Sequence, residues 1–215
     1  MRVDTRTTQW TQYKDLVAHY RSDAERSASV RAYAAACVML GATLESALLL
    51  TAKLMEDRLA SGGLTPRGDD GEERADPAQW TLRDALAVAR QAGWLPTTFP
   101  SLKGFDPVTL ISCGLPEARE LADETSWLKE MLQPAKFVQY HRSVTEDVYE
   151  SCRNYVADTL LALADYLRRE PQAAGGDPDF AHEAAALRNL LEAQWHLLQQ
   201  DSVHDDCAEV DELVL

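Results

Sequence analysis

The stretch TSWLKEMLQPAKF, residues 125–137, gathers the first side chains that could do chemistry: Lys129, Glu130, Gln133 and Pro134. A cation, a carboxylate and an amide within one or two helical turns can bind a phosphate or another polar group. They lack an imidazole, and the Gln133 amide has no titration near neutral pH with which to move a proton. Read locally, the stretch is a helix end. Pro134 removes a backbone donor and stops the helix, while Lys129 offsets the negative end of the helix dipole.

The other candidates fall away on spacing. His19, His141, His182, His196 and His204 form no HxxxH or HExxH pair, so the ligand pattern of a metal site is missing. Asp205 and Asp206, near His204 and Cys207, read as an acidic tail. Arg153-Asn154 is followed by no histidine, and Arg188-Asn189 is followed only by His196, which reads as a solvated helical face. There is no GxSxG elbow and no GxxxxGK[ST] phosphate loop; the glycine pairs at 62–63 and 175–176 lie in polar linkers. Cys37, Cys113, Cys152 and Cys207 are far apart and form no CxxC, which argues against structural zinc and against a disulfide scaffold. No catalytic residue, metal or cofactor is therefore assigned.

Composition sets the surroundings of these residues. The 215-residue chain carries 21 Lys and Arg against 35 Asp and Glu, a formal charge of −14. Such a surface repels nucleic-acid phosphates, so direct nucleic-acid binding is not expected unaided, and a protein partner is the better complement. The start MRVDTRTTQW has no apolar signal region, and a cytoplasmic location is expected. Ala32–Ala52 is the one stretch that suggests a membrane span. Glu45 near its middle would be costly in lipid, so it reads as a core helix with Glu45 as a buried carboxylate paired inside a bundle.

The elements that must position these residues are helical. Leu and Ala dominate, and the single isoleucine, Ile111, leaves little to favour strands. The periodicity predicts helices from about Thr8 to Val30 and from Val30 to Leu59, the second with Val38, Gly41, Leu44, Leu48 and Met55 on one stripe. SGGLTPRGDDGEERADPAQ, residues 61–79, reads as a surface loop. Thr81 with Asp84 approximates a capping box, and Gly93 is a stop signal. A helix from Val108 or Pro116 to Leu132 leads into the opening stretch, and Val144–Leu167 is a further helix. EPQAAGGDPD, residues 170–179, reads as a linker to a separate amphipathic helix and acidic tail. The expected organisation is a helical domain over residues 1–169, a linker over 170–179 and an appendage over 180–215.

The order VRAYAAACVMLGATLESALLL, WTLRDALAVARQAGWLP, SWLKEMLQPAKFVQYHRSVTEDVYESCRNYVADTLLALADYL resembles the HEPN superfamily over roughly residues 8–168. The closest likeness is to its bacterial branch, which pairs an apolar helix bearing a mid-helix Glu with a later RNxxHP motif. The resemblance implies an all-α, HEPN-like helical bundle that usually dimerises, here with an additional C-terminal amphipathic helix. Active members are metal-independent ribonucleases, in which His serves as acid or base and Arg steadies the phosphate. Laid onto RNxxHP, KEMLQP places Lys129 at the Arg, Glu130 at the Asn, Gln133 at the His and Pro134 at the Pro. Gln133 cannot transfer a proton, Glu130 brings negative charge toward a scissile phosphate, and Lys129 lacks the bidentate fork of Arg. On this alignment the site is degenerate.

Two functional classes follow. The first is a non-catalytic interaction or regulatory subunit of a larger bacterial assembly, in settings that the resemblance suggests, such as antiphage defence or a toxin–antitoxin pair. The second is an active ribonuclease or nucleotide-modifying toxin component with an atypical site. For the first class, self-association as a dimer or binding of a protein partner is expected. The appended stripe offers a surface for it, with Leu187, Leu191, Trp195 and Leu198 recurring at helical spacing.

Overall fold

A helix that is apolar around most of its circumference has to be surrounded, and the segment YAAACVMLGATLESALLLTAKL is such a helix. The computed structural model describes residues 5–67, 71–96, 144–173 and 178–200. Within them the chain forms α1 (Thr5–Ser29), α2 (Tyr33–Leu54), α3 (Glu56–Ser61), α4 (Leu82–Gln91), α5 (Glu146–Ala173) and α6 (Pro178–Gln200). A short 3₁₀ turn, Pro77–Gln79, precedes α4, and the one extended pairing among the described residues is an isolated bridge, Arg67 to Glu73. The fold is all-α, as the composition predicts. The predicted helix ending at Leu132 lies outside the described residues, as do Lys129, Glu130, Gln133 and Pro134.

α2 is long and apolar enough to cross a membrane by length and composition, and here α1, α4, α5 and α6 pack around it. Leu40, Leu44, Leu48 and Leu50 are fully enclosed and share one core with Leu86 of α4, Leu160, Leu163 and Leu167 of α5, and Leu187 and Leu191 of α6. Each enclosed leucine contributes about 1.5–3 kcal/mol relative to exposure. Thr43 and Thr51 are also enclosed, and each hydroxyl donates 2.9 Å back to a carbonyl of its own helix, Met39 and Ala47. Thr159 does the same to Tyr155 O in α5. These hydroxyls reach the core with their donors already satisfied.

The junctions differ in detail from the sequence reading. α1 stops at Ser29, and Arg31, at φ 58°, makes the turn into α2. A residue with a Cβ is strained there, and the turn falls beside Ser27 and Ser29, which mark a weak break in the sequence. The expected second helix to Leu59 breaks at Met55, beyond which α3 forms a separate turn and a half. The described residues of 61–79 are mostly exposed but anchored: Trp80 is buried, its Nε1 donates 2.7 Å to Arg74 O, and Arg74 N donates 2.9 Å to Pro66 O. Thr81 and Asp84 complete the capping box in both directions, and Gly93 ends the helix at φ 72°.

The expected linker is shorter than its composition suggests. α5 continues through Glu170 to Ala173, and α6 already begins at Pro178, a first-turn position suited to proline. α6 then lies along α5 and reaches α2 and α1.

Two kinds of substitution test this architecture. Leu44→Ala or Leu160→Ala should each cost about 2–5 kcal/mol by leaving a cavity in the shared core. Thr81→Ala should cost about 1 kcal/mol through loss of the cap. Urea unfolding followed by circular dichroism reads both, and a cost for Leu44→Ala no greater than that for Thr81→Ala would contradict the central placement of α2.

Candidate functional site

One set of chemistry-bearing side chains lies along the seam between α2 and α5. At its start Tyr33 of α2 faces Tyr149 of α5, with ring centroids 5.9 Å apart. One turn further on, Cys37 and Cys152 are in side-chain hydrogen-bond contact, both buried and both in the thiol form. The two contacts advance together, so the helices run roughly parallel here. The Cys152 sulfur and burial hold the Cys37 proton in place, pushing its titration up, while the hydrogen bond from Cys37 pulls that of Cys152 down.

Arg153 follows at once, with its side chain only 5% exposed. It pairs at 2.9 Å with Glu150, a turn earlier on α5 and open to solvent, while its Nε has no hydrogen-bond partner among the described residues. A guanidinium in this position can hold a carboxylate or another anion but cannot supply or remove a proton. Glu45, expected to be a buried carboxylate, is half-buried instead. Solvent at its edge spares it the desolvation cost of a sealed charge.

No described histidine reaches this seam. His19 is exposed on α1 and lies 3.3 Å from Asp23, while His182 and His196 are exposed on α6. Arg188 and His196 are engaged separately: Arg188 donates 3.1 Å to Asn189 Oδ1, and His196 stacks on Trp195 at 4.5 Å. Among the described residues no cluster of three or more His, Cys, Asp or Glu is placed to hold a metal ion.

The residues expected to bind a partner are placed otherwise. Of the surfaces on which the α6 stripe could be buried, the structure shows the chain's own bundle: Leu187, Leu191 and Leu198 are enclosed, and Trp195 is half-buried against the same core. The polar member of the stripe explains why the fit is specific. Gln194 is buried and accepts 2.6 Å from Nε of Arg21 on α1, and Arg21 also pairs with Glu25. Arg168 of α5 reaches Glu192 of α6 at 2.7 Å. At the far end Arg58 of α3 pairs with Glu170 and lies 4.7 Å over the Phe180 ring. Trp94 and Tyr166 stack at 6.0 Å beside this cluster. Burial first, and then the neighbouring Glu170, push the Tyr166 hydroxyl above its usual range.

Sequence reasoning missed the thiol pair because it compared cysteines along the chain. A usable signal was present: Cys152 sits on the apolar stripe of α5 and Cys37 inside the apolar α2, so both had to face the core. Comparison of the chain with family models, with curated proteins and with solved structures gave no match.

Two measurements check this geometry. Glu150→Ala leaves the Arg153 cation buried without its carboxylate and should destabilise by about 1–3 kcal/mol, and adding Arg153→Met should recover most of the loss. Equal destabilisation by the single and double variants in urea would mean that Arg153 is not held by that pair. The second concerns pH. Because Tyr166 stays protonated in the folded chain, while unfolded tyrosine ionises near pH 10, its contribution is intact below that pH and declines above it. Tyr166→Phe should flatten the loss of thermal stability between about pH 10 and pH 12 relative to the native chain.

Proposed function

We propose that the chain is a non-catalytic HEPN-like interaction or regulatory module, acting as a subunit of a larger bacterial assembly in a setting such as antiphage defence or a toxin–antitoxin pair. The observation that carries this reading is KEMLQP at residues 129–134, where Gln133 stands in place of the proton-transferring His of RNxxHP. Three features support it. The bundle is helical and built around an apolar helix with Glu45 at its middle. The described histidines are exposed on α1 and α6 rather than gathered near Arg153. The net charge of −14 disfavours a nucleic-acid substrate and favours a protein partner with a basic face.

Because α6 is used to cover the chain's own core, the partner surface of this module lies elsewhere. By the resemblance, the segments flanking the motif, around 117–133 and 144–167, are those through which the module would pair with a second copy.

The test has two arms. Purified protein incubated with total RNA should give no cleavage that depends on residues 129–134. The variant combining Lys129→Arg, Glu130→Asn and Gln133→His should gain at least some cleavage. Cleavage by the native chain that Gln133→Ala abolishes would replace this reading with that of an atypical ribonuclease. In the second arm, light scattering should show a dimer, or a complex with a co-encoded protein; a monomer that binds no such neighbour would count against an interaction role.

A further inference from the structure

Cysteines in a helical core commonly serve as small apolar side chains, and each of Cys37 and Cys152 taken alone would need no other account. Their arrangement goes further. They lie far apart in the sequence, on two different helices, yet both are buried in one core with their side chains in hydrogen-bond contact across the α2–α5 seam. The Tyr33–Tyr149 ring contact sits one turn before them and sets the register of the two helices. The pair is nearly sealed, with Cys37 at 7% and Cys152 at 1% exposure. Cys37 lies in the second turn of α2, and that helix begins at Ala32 with no side-chain cap. An uncapped first turn opens more readily than the helix middle, giving a small solute a route to the sulfurs.

We propose that Cys37 and Cys152 are a covalent modification site, forming a reversible disulfide that locks α2 to α5 when the chain meets an oxidant of the hydroperoxide class. The chemistry closes with hydrogen peroxide as oxidant. The Cys152 thiolate attacks one peroxide oxygen, the O–O bond breaks, and with one proton taken up the products are a Cys152 sulfenic acid and water. The Cys37 sulfur then attacks the sulfenic sulfur; the S–S bond forms, the S–O bond breaks, and the Cys37 proton leaves with the hydroxide as a second water. Two thiols and one peroxide give one disulfide and two waters, and two electrons pass from sulfur to the peroxide oxygens. The hydrogen bond from Cys37 favours Cys152 as the attacking thiolate. Because the bridge would close a loop of more than a hundred residues, it would restrict the unfolded chain strongly.

The experiment uses the full reduced chain, treated with hydrogen peroxide, quenched by alkylation under denaturing conditions and mapped by mass spectrometry without reductant. The expected result is a linked peptide pair containing Cys37 and Cys152, lighter than the two reduced peptides by two hydrogens and released by dithiothreitol. The thermal midpoint of the oxidised chain should rise by several degrees. Recovery of Cys37 and Cys152 as alkylated thiols, their conversion to sulfinic acid, or links made instead to Cys113 or Cys207 would overturn the site. A linked pair with an unchanged midpoint would overturn the lock. Cys37→Ser and Cys152→Ser, each confirmed helical by circular dichroism, should both abolish the linked pair; its persistence in either would contradict the assignment.

Discussion

The structure depends on one constraint: α2 is apolar around most of its circumference, with only a narrow stripe holding Glu45 and Lys53 at the edge. Alanine, leucine and small hydroxyl residues fill the rest, and its enclosed threonines turn their hydroxyls back onto their own helix carbonyls. A helix of this kind cannot be stabilised by one neighbour, because any uncovered stripe leaves several leucines in solvent at about 1.5–3 kcal/mol each. The order of the remaining elements answers that demand. α1 folds back as the first wall through a left-handed Arg31, α4 and α5 close further sides, and α6 completes the enclosure.

Seen this way, the C-terminal helix is a wall whose apolar stripe was already owed to the core. The proline and glycine content of residues 170–179 suggests separation, but backbone composition says how a chain can turn and not where the next helix lands. α5 runs on through Ala173 and α6 starts at Pro178, and the two helices pack antiparallel side by side. The Arg21–Gln194 hydrogen bond sets the register. A buried amide without that guanidinium would be costly, so the stripe is matched to α1 by polarity as well as by shape.

What could be read from the sequence was what local chemistry decides. The Thr81–Asp84 capping box, the Gly93 stop and the all-helical class each depend on residues within a few positions of one another. The break between α1 and α2 falls where the periodicity places it, near Val30, whereas the left-handed Arg31 and the α2–α3 break at Met55 were not legible, since no residue there carries a turn signal. The seam was hidden for a related reason. Tyr33, Cys37, Tyr149 and Cys152 acquire meaning only once α2 and α5 lie parallel, and helical periodicity gives the face that is buried without naming what it is buried against. Glu45 shows the limit in the other direction: its position mid-helix suggested a buried carboxylate paired within the bundle, whereas it lies half-buried.

The polar groups of the interior share a pattern that bears on chemistry. The core threonines are satisfied within their helices, Gln194 is matched to Arg21, Arg153 leans on a carboxylate at the surface, and the Cys37 thiol is held protonated by its neighbour. Acid–base catalysis needs a group poised between two protonation states near working pH, within reach of a substrate. In the described interior, polarity instead fixes helices in register. The thiol pair is the exception, since its two side chains meet each other across the same seam. In a bundle organised around one enclosed helix, a covalent link from that helix to its wall acts on the element that every other helix touches or depends on.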